Sequence, residues 1–216
     1  MAKVTIIEQV TKANDQIAAQ NQELLDQTRT TAVNLMASPG AGKTSLLMRT
    51  VEALRDRLAI GAIEGDTASQ VDADKVATTG VPVIQINTGG GCRLDANMLR
   101  PALKELPLDE IDLLLIENVG NLVCPAGLAL GEHANVVIAS TPEGDDKPYK
   151  YPGMFLAVDA VVVNKIDLLP YLDFDMAAFR ELIAGLNPKA RVFEVSCKTG
   201  AGLDVWTAWL TELCGR

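Results

Sequence analysis

Apolar and polar positions alternate along the chain in a pattern that predicts a layered α/β fold. Seven short apolar runs are separated by stretches with helical periodicity, and they lie at residues 32–37, 60–64, 82–87, 112–117, 135–140, 158–163 and 191–195. Runs that are apolar on both faces are typical of parallel strands buried between helices. Since no linker, repeat or low-complexity tract interrupts the alternation, we expect a mostly parallel sheet covered by helices on both faces.

The segment before the first apolar run has a different pattern. Residues 5–28 carry isolated apolar side chains among Gln, Asn, Asp and Lys, which predicts an amphipathic helix. These apolar side chains are Ile6, Ile7, Val10, Ile17, Leu24 and Leu25. We therefore expect an N-terminal helix, residues 1–30, packed on a domain of residues 31–216. The helix could serve packing alone or could dock a partner.

A glycine-rich turn follows the first predicted strand. Ser38-Pro39-Gly40-Ala41-Gly42-Lys43-Thr44 lies between that strand and a helix predicted over residues 45–58. In this order, free N–H groups and the helix dipole form a cradle for phosphate. Lys43 would reach the β- and γ-phosphates, and the Thr44 hydroxyl would bind Mg²⁺. The usual loop begins with glycine six residues before the lysine. Ala37 stands there instead, and it fits if an ordinary φ is sufficient.

A second polar motif, Asn164-Lys165-Ile166-Asp167, follows the sixth apolar run. Asp167 can accept from N1–H and the amino group of guanine, the amide of Asn164 can bond the N7/O6 edge, and the stem of Lys165 can cover the ring. Adenine would leave the carboxylate facing an acceptor nitrogen, which disfavours it. Taken alone, the motif could also be a turn with a capping Asp. Ser196-Cys197-Lys198, after the last strand, matches the loop with which small GTPases contact the guanine carbonyl.

The two motifs together predict binding of GTP or GDP in a three-layer P-loop NTPase fold. The residues expected to bind nucleotide are Pro39, Gly40, Ala41, Gly42, Lys43, Thr44, Ser45, Gly120, Asn164, Lys165, Asp167, Ser196, Cys197 and Lys198.

Acidic residues follow two of the predicted strands at the edge where such folds bind ligands. Asp66 and Glu117 are therefore candidates for Mg²⁺ together with Thr44, and Asp66 alternatively positions the attacking water. Small GTPases place a Mg²⁺-directed acid and then a γ-phosphate-sensing glycine at the end of such a strand, and Glu117 and Gly120 stand at these positions. We expect Lys43, Asp66 and Glu117 to act in hydrolysis.

Composition limits the partners and the cellular location that we expect for this protein. A net charge of −9 and a pI near 4.6 argue against a general nucleic-acid or anionic-membrane surface. No apolar stretch has the form of a signal peptide or of a membrane span, so we expect a cytoplasmic protein. Four cysteines in 216 residues do not make a disulfide framework, and a reducing compartment would keep them as thiols.

The chain resembles the hydrogenase nickel-incorporation GTPase family, HypB, along nearly its whole length. The resemblance is carried by the phosphate loop and by Glu64-Gly65-Asp66, Gln85-Ile86-Asn87-Thr88-Gly89, Leu94-Asp95-Ala96, Glu117 to Pro125, Glu143 to Pro148 and Asn164 to Pro170. It implies a GTPase of the class that works as nucleotide-dependent homodimers. It also implies an accessory role in delivering nickel to [NiFe] hydrogenase, with a metallochaperone and the hydrogenase large subunit as partners.

Family members bind a transition metal at the dimer interface through a Cys-His pair and a further Cys. Cys92 and Cys124 match this pattern, but Arg93 stands at the histidine position and cannot donate a lone pair. Two thiolates from each of two chains could still bind Zn²⁺ or Ni²⁺. Alternatively, Arg93 replaces metal chemistry with charge, or acts as an arginine finger across the dimer. The only histidine, His133, does not fit the motif.

Several roles follow from position alone. Cys124 lies four residues after Gly120, so a γ-phosphate that pulls on Gly120 would also move the thiolate. Leu168 and Leu172 match the family's apolar dimer contact, or pack within the chain, and Lys147 is a candidate to reach phosphate or an acidic switch residue.

We expect slow hydrolysis, at roughly 10⁻⁴ to 10⁻² s⁻¹. Alternative functions are a regulatory GTPase module that acts by protein docking without metal and, less simply, a small-substrate kinase.

Overall fold

The computed structural model describes residues 2–67 and 69–215, with side chains described from Lys12 onward. Its seven strands form one sheet in the order β3-β2-β4-β1-β5-β6-β7, and every neighbouring pair is parallel. The predicted runs are confirmed to within two residues at each end. The strands are β1 Thr31–Ala37, β2 Ile60–Asp66, β3 Val83–Asn87, β4 Leu113–Glu117, β5 Ala134–Ser140, β6 Ala160–Asn164 and β7 Arg191–Glu194.

Helices cover both faces of the sheet and give the predicted three layers. They are α1 Ala2–Thr28, α2 Lys43–Leu54, α3 Val71–Ala77, α4 Ala96–Glu105, α5 Lys147–Lys150, α6 Pro152–Leu156, α7 Met176–Leu186 and α8 Leu203–Leu213. Short 3₁₀ turns span Leu108–Glu110, Thr141–Glu143 and Ile166–Tyr171. None of the helices in the described ranges is long and apolar enough to cross a membrane.

Successive side chains of each strand point alternately into the two apolar layers on either side of the sheet. On β1, Val33 and Leu35 join the layer under α2 and α8, where Trp206 is fully buried. Ala32 and Met36 point to the other face, under α1, α4, α6 and α7. This period of two, with both faces buried, explains why the strands read as continuous apolar runs.

Helix α2 differs from its predicted span of residues 45–58. It begins at Lys43, directly after the glycine turn, and it ends at Leu54, with a tight turn through Arg57 and Leu58. Leu58 is nevertheless buried, because the turn folds it back onto the core. Its apolar character therefore reflects burial rather than continued helix.

Helix α1 packs on α4 and the loop before β5 through both polar and apolar groups. Asn21, 2% exposed, donates to the carbonyls of Ala96 and Leu130, both at 2.9 Å. Leu25 is fully buried, as the amphipathic pattern predicts, whereas Ile17 and Leu24 are half-buried. Ile6, Ile7 and Val10 lie outside the residues whose side chains are described.

Candidate functional site

The phosphate loop leaves β1 and turns directly into α2. Gly40 and Gly42 have φ of 79° and 103°, a region that favours glycine. A Cβ on Gly42 would collide with the amide of Asn164, whose Nδ2 donates to the Ala41 carbonyl at 3.0 Å. Ala37 is the last, fully buried residue of β1 and needs no positive φ, which explains why alanine can stand there.

Two adjoining cavities open at this turn. The larger, about 570 Å³, is lined by the phosphate loop and by Glu64, Asp66, Glu117 and Gly120. The smaller, about 380 Å³, is lined by Asn164, Asp167, Leu168, Cys197 and Lys198. Gly42, Ser45 and Lys165 line both cavities, so the two predicted motifs border one continuous cleft.

Asn164 lies at the predicted end of the cleft and also makes bonds within the chain. It is 1% exposed, and its Oδ1 accepts from the N–H groups of Lys165 at 2.7 Å and Cys197 at 3.3 Å. With Nδ2 bound to Ala41, both ends of the amide are held by the chain. In this structure Asn164 therefore ties three loops together.

The remaining base-end residues surround the smaller cavity. The Asp167 carboxylate accepts from the Ser196 hydroxyl at 2.6 Å, which fixes its orientation. Lys165 has φ of 65°, and its Nζ donates to the Gly40 carbonyl at 2.7 Å. Burial raises the pKa of the Cys197 thiol to about 11, so this sulfur stays protonated at neutral pH.

The acidic residues meet at the floor of the larger cavity. Glu117 Oε1 accepts from the Thr44 hydroxyl at 3.0 Å and lies 3.9 Å from Lys43 Nζ. Asp66, at the end of β2, accepts from the Ser69 N–H at 2.8 Å. Lys43, Thr44, Asp66 and Glu117 thus converge on one space.

Sequence reasoning missed a fifth member of this group, Glu64. It is 3% exposed, and its Cα is the register partner of Glu117 on the adjacent strand. Burial, then the Glu117 carboxyl, raise the pKa of Glu64 to about 10, and burial raises the pKa of Glu117 against the opposing pull of Lys43. The available signal was an acid inside an apolar run, two residues before Asp66 and hence on the same face of the strand.

One oxygen of each buried acid lacks a donor. Within the described part of the chain, no N–H or O–H group reaches Glu64 Oε1 or Glu117 Oε2. Buried carboxyl oxygens are costly unless they are satisfied, so these two require a shared proton or a cation. The donor set of two carboxyl groups, a hydroxyl and a nearby Asp suits Mg²⁺, which prefers oxygen ligands.

Gly120 packs against the phosphate loop. A Cβ at this position would lie 3.2–3.3 Å from atoms of Pro39, closer than an ordinary contact. The segment after β4 therefore contacts the loop that is expected to hold the phosphates.

Cys92 and Cys124 are joined by a disulfide within the chain, with their Cα atoms 6.2 Å apart. This corrects the expectation of free thiols: the loops after β3 and β4 meet, which brings two cysteines separated by 32 residues into contact. Arg93 Nη1 donates to the Cys124 carbonyl at 2.8 Å. Among the described residues, no group of three His, Cys, Asp or Glu side chains is arranged to hold a metal.

Other predicted residues lie at the margins of the cleft. Lys147 Nζ is 3.6 Å from Glu143, whose carboxylate also accepts from the hydroxyl of Ser38. Leu168 is half-buried beside the smaller cavity, and Leu172 is 36% exposed.

The single histidine binds within the chain rather than at the cleft. His133 accepts from the Ala32 N–H at 2.9 Å and lies 3.0 Å from Asp26. It thereby joins α1 to β1.

A parallel sheet with this strand–loop–helix cradle defines a P-loop nucleotide-binding protein. Comparison with known proteins makes the class more specific. Residues 31–194 match the family described as CobW/HypB/UreG, nucleotide-binding domain.

Individual relatives agree with this assignment. Hydrogenase maturation factor HypB of Azotobacter vinelandii is 49% identical over 94% of the chain and 67% of its own length. The crystal structure of HypB from Archaeoglobus fulgidus has a TM-score of 0.88 at 39% identity, covering 94% of this chain and 99% of that one. HypB from Helicobacter pylori, solved in complex with nickel, has a TM-score of 0.90 at 38% identity over 94% and 95% of the two chains. The chain belongs to the HypB family of P-loop proteins.

Proposed function

We propose that this chain is a GTP-binding, slowly GTP-hydrolysing accessory factor for nickel insertion into [NiFe] hydrogenase. The observation that carries the nucleotide part is the single cleft formed by the phosphate loop and the Asn164 to Asp167 motif. A loop suited to phosphates and a carboxylate suited to guanine border the same space. The hydrogenase part rests on relatives that are named hydrogenase maturation factors.

Different residues of the cleft would bind different parts of the nucleotide. Lys43 would hold the β- and γ-phosphates, and Asp167, oriented by Ser196, would accept from guanine. Lys165, already bonded to Gly40, would cover the ring. Asn164 supports both ends by holding their loops together.

Thr44, Glu117 and Asp66 would hold Mg²⁺, with Glu64 as a further acid beside them. When bound, this ion neutralises charge on the phosphates. Asp66, which lines the same cavity, would orient the attacking water, and Gly120 would sense the γ-phosphate. No arginine is among the described residues that line the larger cavity, which supports a slow intrinsic rate.

Nickel is proposed as cargo, bound by Cys92 and Cys124 as thiolates once an external dithiol, itself oxidised to a disulfide, has reduced the bond between them. The two residues are already adjacent, and two chains related by a two-fold axis would supply four sulfurs, a set suited to Zn²⁺ or Ni²⁺. Support for nickel comes from a HypB relative that was solved in complex with that metal. Leu168, half-buried beside the smaller cavity, and Leu172, 36% exposed, are proposed to form the apolar contact of a GTP-dependent homodimer.

Nucleotide competition with product analysis tests the catalytic part of the proposal. We expect GTP and GDP, but not ATP, to displace a fluorescent guanine nucleotide, and GTP to yield GDP and free phosphate. Equal competition by ATP would contradict the guanine assignment. Phosphate transferred to a small acceptor rather than released would instead indicate a kinase.

A second candidate function is a GTPase module that acts by docking alone. One observation favours it: Arg93 occupies the expected histidine position and binds the Cys124 carbonyl, so the cysteines lack a nitrogen ligand from this loop. Metal stoichiometry of the reduced protein distinguishes the two functions, because docking needs no bound metal.

A further inference from the structure

A buried asparagine joins the end of β4 to the loop that carries Cys92. Asn118 is 2% exposed, and its Oδ1 accepts from two backbone N–H groups, those of Leu94 and Val119, each at 3.0 Å. Its Nδ2 donates to Asn34 Oδ1 at 3.2 Å, and Asn34 in turn donates to Asn135 at 2.9 Å. The amide is therefore anchored in the sheet while its carbonyl oxygen holds two loops.

Each of these loops leads to a different site. Val119 precedes Gly120, which packs on Pro39 of the phosphate loop. Leu94 lies two residues after Cys92, and it is fully buried against Gly65, where a Cβ would lie 2.8 Å from its methyl group. A single oxygen atom thus connects the segment that touches the phosphate loop with the segment that carries one cysteine.

The second cysteine is tied to the same end of β4. Asn121 Oδ1 accepts from the N–H groups of Val123 at 2.7 Å and Cys124 at 3.1 Å, and its Nδ2 lies 3.4 Å from the Cys124 sulfur. Movement of the residues between Asn118 and Asn121 would therefore displace both cysteines. Buried N–H groups must keep an acceptor, so the loops would move with the amide rather than away from it.

We propose that Asn118 is the positioning residue that couples the nucleotide state to the geometry of the Cys92–Cys124 pair. The inference rests on the proposed function, in which a γ-phosphate draws on Gly120. A shift of Gly120 moves Val119, and the side-chain oxygen of Asn118 follows because it accepts from the Val119 N–H. The same oxygen accepts from the Leu94 N–H, so the displacement reaches the loop that carries Cys92. Coupling of this kind needs a contiguous set of contacts with two arrangements that the nucleotide can bias.

The test measures the cysteines without requiring metal. Reduced protein is saturated with GDP or with a non-hydrolysable GTP analogue, and the alkylation rate of Cys92 by iodoacetamide is followed by peptide mass spectrometry. We expect wild-type rates to differ by about fivefold or more between nucleotides, as is typical of coupled sites. In Asn118→Ala the two rates should become equal. Asn118→Asp, which keeps an oxygen acceptor for both N–H groups, should restore the difference.

Asn187→Ala is the matched control. Asn187 is also a buried asparagine, 9% exposed, that donates to the carbonyls of Phe155 at 3.0 Å and Val158 at 2.8 Å, away from both sites. Its loss should lower stability but leave the nucleotide dependence of Cys92 unchanged. Loss of that dependence in Asn187→Ala would assign the effect to general destabilisation and overturn the proposal.

Two further results separate this inference from the proposed function. Equal alkylation rates in wild type with the two nucleotides, or an unchanged difference in Asn118→Ala, would overturn the coupling role of Asn118. Nickel and zinc titrations of the same samples report on the metal function independently. A nucleotide-dependent alkylation rate without metal binding would retain the coupling role and reject the cargo.

Discussion

Glu64 and Glu117 stand opposite each other on strands β2 and β4, in register and more than nine-tenths buried. Each has one carboxyl oxygen that no donor in the described part of the chain satisfies. Two buried acids side by side cannot both ionise cheaply, so one retains a proton until a cation replaces it. The pair therefore links proton binding and cation binding at the floor of the nucleotide cleft.

Replacing Glu64 by Gln should weaken Mg²⁺ binding in the presence of GDP. The substitution removes one carboxylate from the acid pair while it keeps the size of the side chain, and we expect the Mg²⁺ affinity to fall by about tenfold, which corresponds to about 1.4 kcal/mol. A Mg²⁺ titration monitored with a fluorescent guanine nucleotide measures it. Glu181→Gln, on the exposed face of α7, is the control. Equal Mg²⁺ affinity in both variants would remove Glu64 from the site.

The metal-free, nucleotide-free protein should lose stability as pH rises. The folded pKa of Glu64 is raised from 4.5 to about 10, so the folded state keeps a proton that the unfolded state has released within this window. The contribution of Glu64 to the free energy of unfolding is therefore complete below the unfolded-state pKa. It is lost as pH rises towards the folded-state pKa, by at most about 1.4 kcal/mol per pH unit. Glu64→Gln should show a shallower decline in urea unfolding with EDTA. Parallel pH profiles for the two proteins would contradict the raised pKa.

Exchange of Asp167 for Asn should change the base that is recognised. The carboxylate, held by Ser196, is expected to accept from N1–H and the amino group of guanine, whereas an amide presents a donor at one of these positions. We expect GDP affinity to fall by about 100-fold, with xanthosine nucleotides bound more tightly instead. Competition binding measures both. If Asp167→Asn keeps its preference for GDP, Asp167 does not read the base.

Gly120→Ala should separate GTP binding from dimer formation. The added methyl group would lie 3.2–3.3 Å from Pro39, so the phosphate loop and the β4 exit must separate by a few tenths of an ångström. We expect GDP binding to persist and GTP-driven dimerisation to be lost, as measured by light scattering with each nucleotide. Gly153→Ala, where a methyl group meets no atom within 4 Å, provides the control. Unchanged GTP-driven dimerisation in Gly120→Ala would reject Gly120 as the sensor.

The sequence predicted the elements that depend on local pattern. Strand bounds followed from apolar runs, and the phosphate loop followed from glycines that the structure holds at positive φ. Glu64 was missed because the hydrogen bonding of an acid within an apolar run depends on residues of another strand, which local pattern does not reveal. Asn21 and Asn118 were missed for the same reason: a buried amide has no periodic signature, and their partners in the described part of the chain, except the Val119 N–H, are 24 or more residues away.

The proximity of Cys92 and Cys124 was equally beyond local pattern. It depends on a meeting of the loops after β3 and β4, two strands that β2 separates in the sheet, although the resemblance to HypB had already paired these two residues in one metal site. Asn164 lies in the predicted cleft, and its amide also binds the loops around it. These bonds to the chain's own carbonyl and N–H groups were not predicted from the motif, and the contact of Asn164 with guanine stays a prediction.

The role in metal delivery is tested most directly by a Ni²⁺ titration of the reduced protein, with GDP and with a non-hydrolysable GTP analogue, for wild type and Cys92→Ser. Zn²⁺ is titrated in parallel, and Cys214→Ser controls for thiols remote from the pair. We expect binding that requires Cys92, persists in Cys214→Ser and changes in affinity with the nucleotide. Absence of Ni²⁺ and Zn²⁺ binding in both nucleotide states would contradict a role in metal delivery and leave a GTPase that acts through protein docking.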